Sequence, residues 1–368
     1  MLLVAFLLTA CGGAAAPASQ ASAPKASGGA EGWQATWDQT LAAAKKEGTV
    51  TVAGPPQEAE RSVLLTFRFS YPDIKLEYTG ITDQEFLARA TAERSAGTYA
   101  WDLIIGGVSE RYPYAAKGFW QPIKDNLILP EVTDDNKWLG GFDAGYFDND
   151  KKYVYSFISS ITDNVRANRT AVPESQLPTV EGLTDPRWKG KIVVYDPRAG
   201  GGGLVAVTSL RKQLGDEALK TILVDQQPVF STDKRQFTEW VVRARNPIGI
   251  GVSDGYLAPF REQGLGGDVK RIPGKIHVIG AESGGVSVMD RTPHPNAAKI
   301  FLNWLLSRET QAAWAKRAAT NSRRLDVESG NLDNKPDQTH LSDYVDFNSE
   351  RNNAFMRDTQ KLAQTIIP

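Results

Sequence analysis

From residue 33 onward the apolar positions switch between two spacings. Trp37, Leu41 and Ala44 share one helical face, which predicts a helix over 36–46, stopped at Glu47-Gly48. Thr49-Val50-Thr51-Val52-Ala53-Gly54 alternates and is rich in β-branched residues, the pattern of a strand, and Pro55-Pro56 closes it. A helix over 57–69 and a strand over 74–78 follow. Thr82 and Glu85 have capping-box spacing, which opens a helix through Ser95. An apolar strand over 101–107 then ends in Gly106-Gly107. Strands alternating with helices predict a parallel sheet covered by helices, an α/β fold.

The stretch 112–138 is aromatic and irregular, with Pro113, Pro122 and Pro130 excluding long helices. A strand over 152–161 contains Ser159-Ser160, and a second alternating series begins after it. It comprises a short helix near 180–183, a β-branched strand ending at Tyr195, and a helix over 203–214. Next come a helix near Glu217, a strand over 228–230, a helix over 233–245 and a strand over 248–253. Strands over 275–279 and 285–289 lead to a helix from Asn296, whose Ala297, Ile300, Phe301, Trp304 and Leu305 form one stripe. At 368 residues two lobes are expected. The first covers 33–150, the second 151–284, and 285–325 returns to the first. A polar tail, 326–368, is expected to dock as helices through Tyr344, Phe347 and Phe355.

Composition narrows the class. The 42 basic and 43 acidic residues nearly cancel, so no global field favours nucleic acid. Cys11 is the one cysteine, which excludes an intramolecular disulfide. Residues 1–10 are almost wholly apolar and end in Leu8-Thr9-Ala10-Cys11, which resembles a bacterial lipoprotein signal and lipobox with Cys11 as the lipidated residue. The run is too short to span a bilayer. No Lys or Arg precedes it, so translation is expected to start upstream of Met1. The Ala, Ser, Gly and Pro of 12–32 then form a flexible tether.

Candidate chemistry concentrates in Lys189-Gly190-Lys191-Ile192-Val193-Val194-Tyr195-Asp196-Pro197-Arg198-Ala199, followed by Gly200 to Gly203. A strand stopped by Asp-Pro, then glycines, then a helix N-terminus offers backbone amides and a partial positive charge to an anion, with Arg198 nearby. The same pattern serves as a ligand-free turn, and Arg198 equally suits a surface carboxylate.

The passage Leu183-Thr184-Asp185-Pro186-Arg187-Trp188-Lys189-Gly190-Lys191-Ile192, continuing to Asp196-Pro197-Arg198, resembles the extracellular solute-binding proteins of bacterial ABC importers, in the group related to ferric-ion-binding proteins. Weaker matches are Asp102-Leu103-Ile104, Gly118-Phe119-Trp120-Gln121-Pro122 and Pro293-His294-Pro295-Asn296-Ala297-Ala298-Lys299. The resemblance runs from about Gly48 to Arg324. It implies a two-lobed periplasmic-binding-protein fold of type II with a hinge between the lobes. It also implies solute capture in the cleft and delivery to a permease and its ATPase, as a lipid-anchored monomer on the extracytoplasmic face.

In members that hold a bare ferric ion, two adjacent tyrosines are ligands, usually with a His and a Glu. Here Ser253-Asp254-Gly255-Tyr256 presents Tyr256 alone, Gly54-Pro55-Pro56-Gln57 carries no histidine, and His277, His294 and His340 come late. The expected ligand is therefore a small organic anion: a phosphonate, phosphate ester or carboxylate. Gly201, Gly202 and Gly203 would give amides, Ser159 and Ser160 hydroxyls, and Arg198 charge-assisted hydrogen bonds. Tyr256 would stack or donate, Asp254 would meet an amine, and Gly54 and Gly106 would close from the first lobe.

A different class stays open. Gly201-Gly202-Gly203-Leu204-Val205-Ala206 fits G-x-G-x-x-A, and Asp225 lies near the spacing of a ribose-binding acid, as in a dinucleotide-binding oxidoreductase. Against it, Asp196 to Ala199 separate strand from glycines. There is also no P-loop lysine, H-E-x-x-H or G-x-S-x-G. No cofactor, resident metal or catalytic residue is expected.

Overall fold

A computed structural model describes residues 32–368, with Ser342 and Asp343 described by backbone alone. The lipobox with Cys11 and the tether up to Glu31 lie outside the described residues. In chain order the first seven strands are β1 (Thr49–Gly54), β2 (Lys75–Gly80), β3 (Leu103–Gly106), β4 (Trp120–Gln121), β5 (Tyr155–Ser156), β6 (Ser160–Ile161) and β7 (Val165–Asn168). The others are β8 (Ile192–Tyr195), β9 (Val229–Ser231), β10 (Ile248–Ile250), β11 (Val269–Arg271), β12 (His277–Gly280), β13 (Gly285–Met289) and β14 (Tyr344–Val345).

The first lobe is built on the order β2-β1-β3-β13-β4, with β5 also paired to β13. β1 runs parallel to β2 and β3, whereas β13 is antiparallel to β3, with Gly285 opposite Gly106. The second lobe has the order β11-β7-β10-β8-β9, with β10 and β9 parallel to β8. Between the sheets, β6 and β12 pair antiparallel as a two-stranded hinge, and β14 adds to β12 in parallel.

Apolar burial explains the layers. The stripe expected after Asn296 becomes the helix Pro295–Leu306, whose Ile300, Phe301 and Leu305 are completely buried. Phe301 and Trp304 meet Phe67 at ring-centroid distances of 5.0 and 5.1 Å. Glu47, at the end of the first helix, accepts the Ala297 amide at 2.7 Å and so satisfies an open donor of the returning helix. The second core gathers Ile192, Val194, Val207, Leu210 and Ile250, and the tail helix Glu350–Ile366 adds Ala363, with Ile367 just beyond it. Phe347 is buried beside Leu204, Val205 and Met356, so the tail docks on the second lobe.

Several expectations shift. The run 152–161 is two strands rather than one: Tyr155–Ser156 pairs in the first sheet and Ser160–Ile161 in the hinge. The crossing into the second lobe therefore falls later than 151. The helix expected over 57–69 breaks into Glu58–Leu64 and Phe67–Ser70, and the one near 180–183 is a 3-10 turn, Val180–Thr184. The strand Val165–Asn168 escapes pattern reading because its Arg166 and Asn168 are polar yet buried.

Candidate ligand site between the lobes

β8 ends at Tyr195, and Asp196 caps the turn Pro197–Ala199 by accepting the Arg198 amide at 2.9 Å. Gly200 (φ 81°) and Gly201 (φ 65°) then take backbone conformations that favour glycine and lead into the helix Gly201–Leu214. No side chain caps this helix, so its first amide donors remain open. Gly202 and Gly203 differ in role. A Cβ on Gly203 would lie 2.0 Å from the Tyr195 carbonyl oxygen, so the helix start packs directly on β8. At Gly202 the nearest atoms would be the Gly251 carbonyl at 3.7 Å and the Tyr256 hydroxyl at 4.0 Å, so a methyl there would make ordinary van der Waals contact without a clash.

Tyr256 stands in the first turn of the helix Asp254–Arg261, whose N-cap is Ser253. Its ring is 6.0 Å from that of Tyr195, and the Lys234 ammonium lies 5.3 Å from its centroid. Burial pushes the Tyr256 phenol up, and the negative charge of Glu282 adds to this. From the first lobe come Glu60, on the helix after β1, and Tyr78 of β2. Burial raises the Glu60 carboxyl, while the charge of Lys234 across the lobes partly opposes the rise. Tyr78 donates to the Pro55 carbonyl and is pushed up by burial and by Glu60.

Glu282 follows the hinge strand β12 at φ 44°, an unusual backbone for a non-glycine residue. It is open to solvent although protein surrounds it at longer range. That surrounding protein, with the charges of Asp254 and Glu60, pushes it up to about 7, while the Ser160 hydroxyl opposes the rise. Lys234, over the Tyr256 ring, is thus within electrostatic reach of Glu60 on the other lobe, and Glu282 within reach of Glu60 and Tyr256.

The expected residues divide. Gly202 and Tyr256 lie close together, with Gly201 and Gly203 flanking Gly202, whereas Ser160 is buried in the hinge and accepts the Asn321 amide at 3.3 Å. Arg198 turns onto Asp196, donating from Nη2 at 2.8 Å, and its Nη1 reaches the Pro368 carbonyl at 3.3 Å. Asp254 is buried and accepts from Arg166 at 2.6 Å and Arg261 at 2.9 Å, and Asn334 donates to it as well. Burial alone would raise its carboxyl, but the two arginines outweigh that and hold it below the usual range. Its expected role toward a ligand amine is thus replaced by a structural one. Ser159 is buried and borders a separate small pocket of about 40 Å³ with Asn321, Ser329 and Lys335. Gly54 gives room to the Tyr78 ring, which a Cβ would meet at 2.7 Å. Gly106 (φ 154°) gives room to Asp83, at 2.2 Å from a Cβ position.

Pattern reading missed Glu60, Tyr78, Tyr195, Lys234 and Glu282. The available signal was Glu282-Ser283-Gly284-Gly285, a charged break between two short strands.

A family model for bacterial extracellular solute-binding proteins matches residues 49–317, and the chain belongs to that family. An uncharacterized protein of Haemophilus influenzae is 31% identical over 134 residues, which span 36% of this chain and 38% of that protein. Among solved structures, iron-bound HitA from Pseudomonas aeruginosa is similar with a TM-score of 0.64 at 16% identity, covering 86% of this chain and 99% of that one. The substrate-binding protein of an ABC transporter from Agrobacterium tumefaciens also has a TM-score of 0.64, at 15% identity over 86% and 94%. AfuA from Actinobacillus pleuropneumoniae, with fructose-6-phosphate bound, has 0.57 at 18% identity over 86% and 99%. The two-lobed periplasmic-binding fold is therefore shared. Among the described residues, no helix is long and apolar enough to cross a membrane.

Proposed function

We propose that this protein is the solute-binding component of an ABC importer that holds a small organic anion, a phosphonate, phosphate ester or carboxylate, between its lobes. The observation that carries this reading is the uncapped helix N-terminus at Gly201 to Gly203, with the Tyr256 hydroxyl 4.0 Å from where a Gly202 Cβ would stand. Amides and a helix dipole directed at one point suit a compact anion. Hinge motion about β6 and β12 would close Glu60 and Tyr78 of the first lobe onto the ligand. The loaded form would dock on a permease powered by an ATPase, with the protein a monomer tethered through Cys11 on the extracytoplasmic face. It performs no catalysis in this account.

A ferric ion is the second reading, favoured by the convergence of Tyr195, Tyr256 and Glu282 and by the iron-bound relative. Among the described residues, no group of three or more His, Cys, Asp or Glu is arranged to hold a metal. The organic anion is the better match. Native mass spectrometry of the purified chain separates the two: an adduct of a small organic acid is expected, and a single iron with a visible phenolate band would overturn the anion reading.

A further inference from the structure

The tail visits the two lobes in turn. It leaves the first lobe at Asn321, whose Nδ2 donates to the Asn331 carbonyl at 2.9 Å, and reaches the second at Asn334, which donates to Asp254 and accepts from Arg271. β14 then lies along the hinge strand β12. From there residues 346–350 return to the first lobe. Asn348 Nδ2 donates to Ser109 Oγ at 3.0 Å, and the Asn348 carbonyl accepts from the Tyr112 hydroxyl. The Glu350 amide donates to the Phe147 carbonyl at 2.9 Å, and Glu350 Oε2 accepts the Asn149 amide at 2.8 Å. The helix Glu350–Ile366, which starts at this clasp, packs on the second lobe against the helix Gly201–Leu214.

The two grips differ in kind. On the second lobe Phe347 and Met356 are buried with Leu204 and Val205, and Ala363 and Ile367 enter the core of Ile192 and Val207. Asp358 accepts from Arg211 at 2.7 Å, and Gln360 donates to the Arg198 carbonyl at 3.0 Å. Exposing apolar area of this kind to water is costly. The clasp on the first lobe is made of hydrogen bonds, and each contributes little net because water replaces the partner once the contact opens. Its seam is also incompletely matched. Arg323 of the first lobe keeps Nε buried without a hydrogen-bond partner, although its charge is felt at Asp346, and Asn353 buries Nδ2 without one. Ser109 stands just beyond the end of β3, so the clasp touches the strand-end edge at which open α/β sheets bind their ligands.

Rotation of the lobes about β6 and β12 moves Ser109, Tyr112, Phe147 and Asn149 relative to the face that carries the tail helix. The tail cannot follow both. We propose that residues 346–350 are a releasable latch: they hold the lobes at the separation seen here, and lobe rotation detaches them from the first lobe while the helix Glu350–Ile366 stays on the second. The latch depends on the hinge and not on which solute is bound.

The test uses the full chain with Cys11→Ser and spin labels on Lys46→Cys and Glu217→Cys, exposed positions on the first and second lobes. Electron-electron resonance gives the distance between the labels, and amide hydrogen exchange is followed alongside. In Ser109→Ala/Glu350→Ala, residues 346–349 should exchange about 10-fold or more faster, and the distance distribution should gain a population absent from the parent. Residues 354–366 should keep their parent rates. An unchanged distance distribution would overturn the latch, whether or not 346–349 exchange faster. Loss of protection over 354–366 in step with 346–349 would overturn it too, because the tail would then release from the second lobe. Unchanged exchange in β1 and β10 establishes that the variant folds. Tyr112→Phe, which removes one donor at constant ring shape, carries the same readouts where the paired alanines do not meet that check.

Discussion

Arg166 donates to Asp254 across 2.6 Å, and both side chains are almost completely buried. Two charges removed from water hold each other only while the geometry persists, and Arg261 and Asn334 complete the set around Asp254. Because Asn334 belongs to the tail, this cluster ties the segment after residue 326 to the second lobe.

Asp254→Ala should therefore cost stability and should not act as the loss of a ligand contact. Leaving Arg166 buried and unpaired is expected to destabilise by about 3–5 kcal/mol. Urea unfolding would measure this, and an unchanged midpoint with lost binding would return Asp254 to the ligand site.

The two glycines at the helix start should behave oppositely. Gly203→Ala drives a methyl against the Tyr195 carbonyl, a backbone atom that cannot swing aside. The expected cost is about 1–3 kcal/mol or more, seen as a lower Tm. Gly202→Ala makes only ordinary van der Waals contacts and should change Tm far less.

Stability should fall as pH rises from about 5 to 7.5, as far as two carboxyls govern it. Burial pushes Asp346 up to about 7, although it accepts the Asn348 and Ser349 amides at 2.9 and 3.0 Å. Glu282 is raised likewise. Between the ordinary carboxyl range and 7, the folded chain holds more protons than the unfolded chain. Stability contributed by these groups is thus present at low pH and lost through pH 7. Asp346→Asn should flatten that decline in a series of unfolding curves. A decline of unchanged slope would show that Asp346 does not titrate there.

Much of the architecture was legible because local pattern and tertiary demand agreed. The Thr82 capping box, the strand Thr49–Gly54 and the stripe Ala297, Ile300, Phe301, Trp304 each form as expected. The polar buried strand Val165–Asn168 was not legible, because Arg166 is accommodated by Asp254, far along the chain. The site was half legible. Glycines before a helix advertise an anion cradle by local chemistry, whereas Lys234 comes within electrostatic reach of Glu60 only once the lobes are in place. Arg198 misled for a related reason: Asp196 was always the nearer carboxylate.

The central claim is that an organic anion sits on the amides at Gly201 to Gly203. Its most direct test is calorimetric titration of wild type and Gly202→Asp with the solute recovered from the native protein, alongside unfolding curves for both. The aspartate places a carboxylate at the helix start, beside the Tyr256 hydroxyl. A loss of affinity of 100-fold or more with Tm nearly unchanged is the expected result. Unaltered binding by Gly202→Asp would contradict the account.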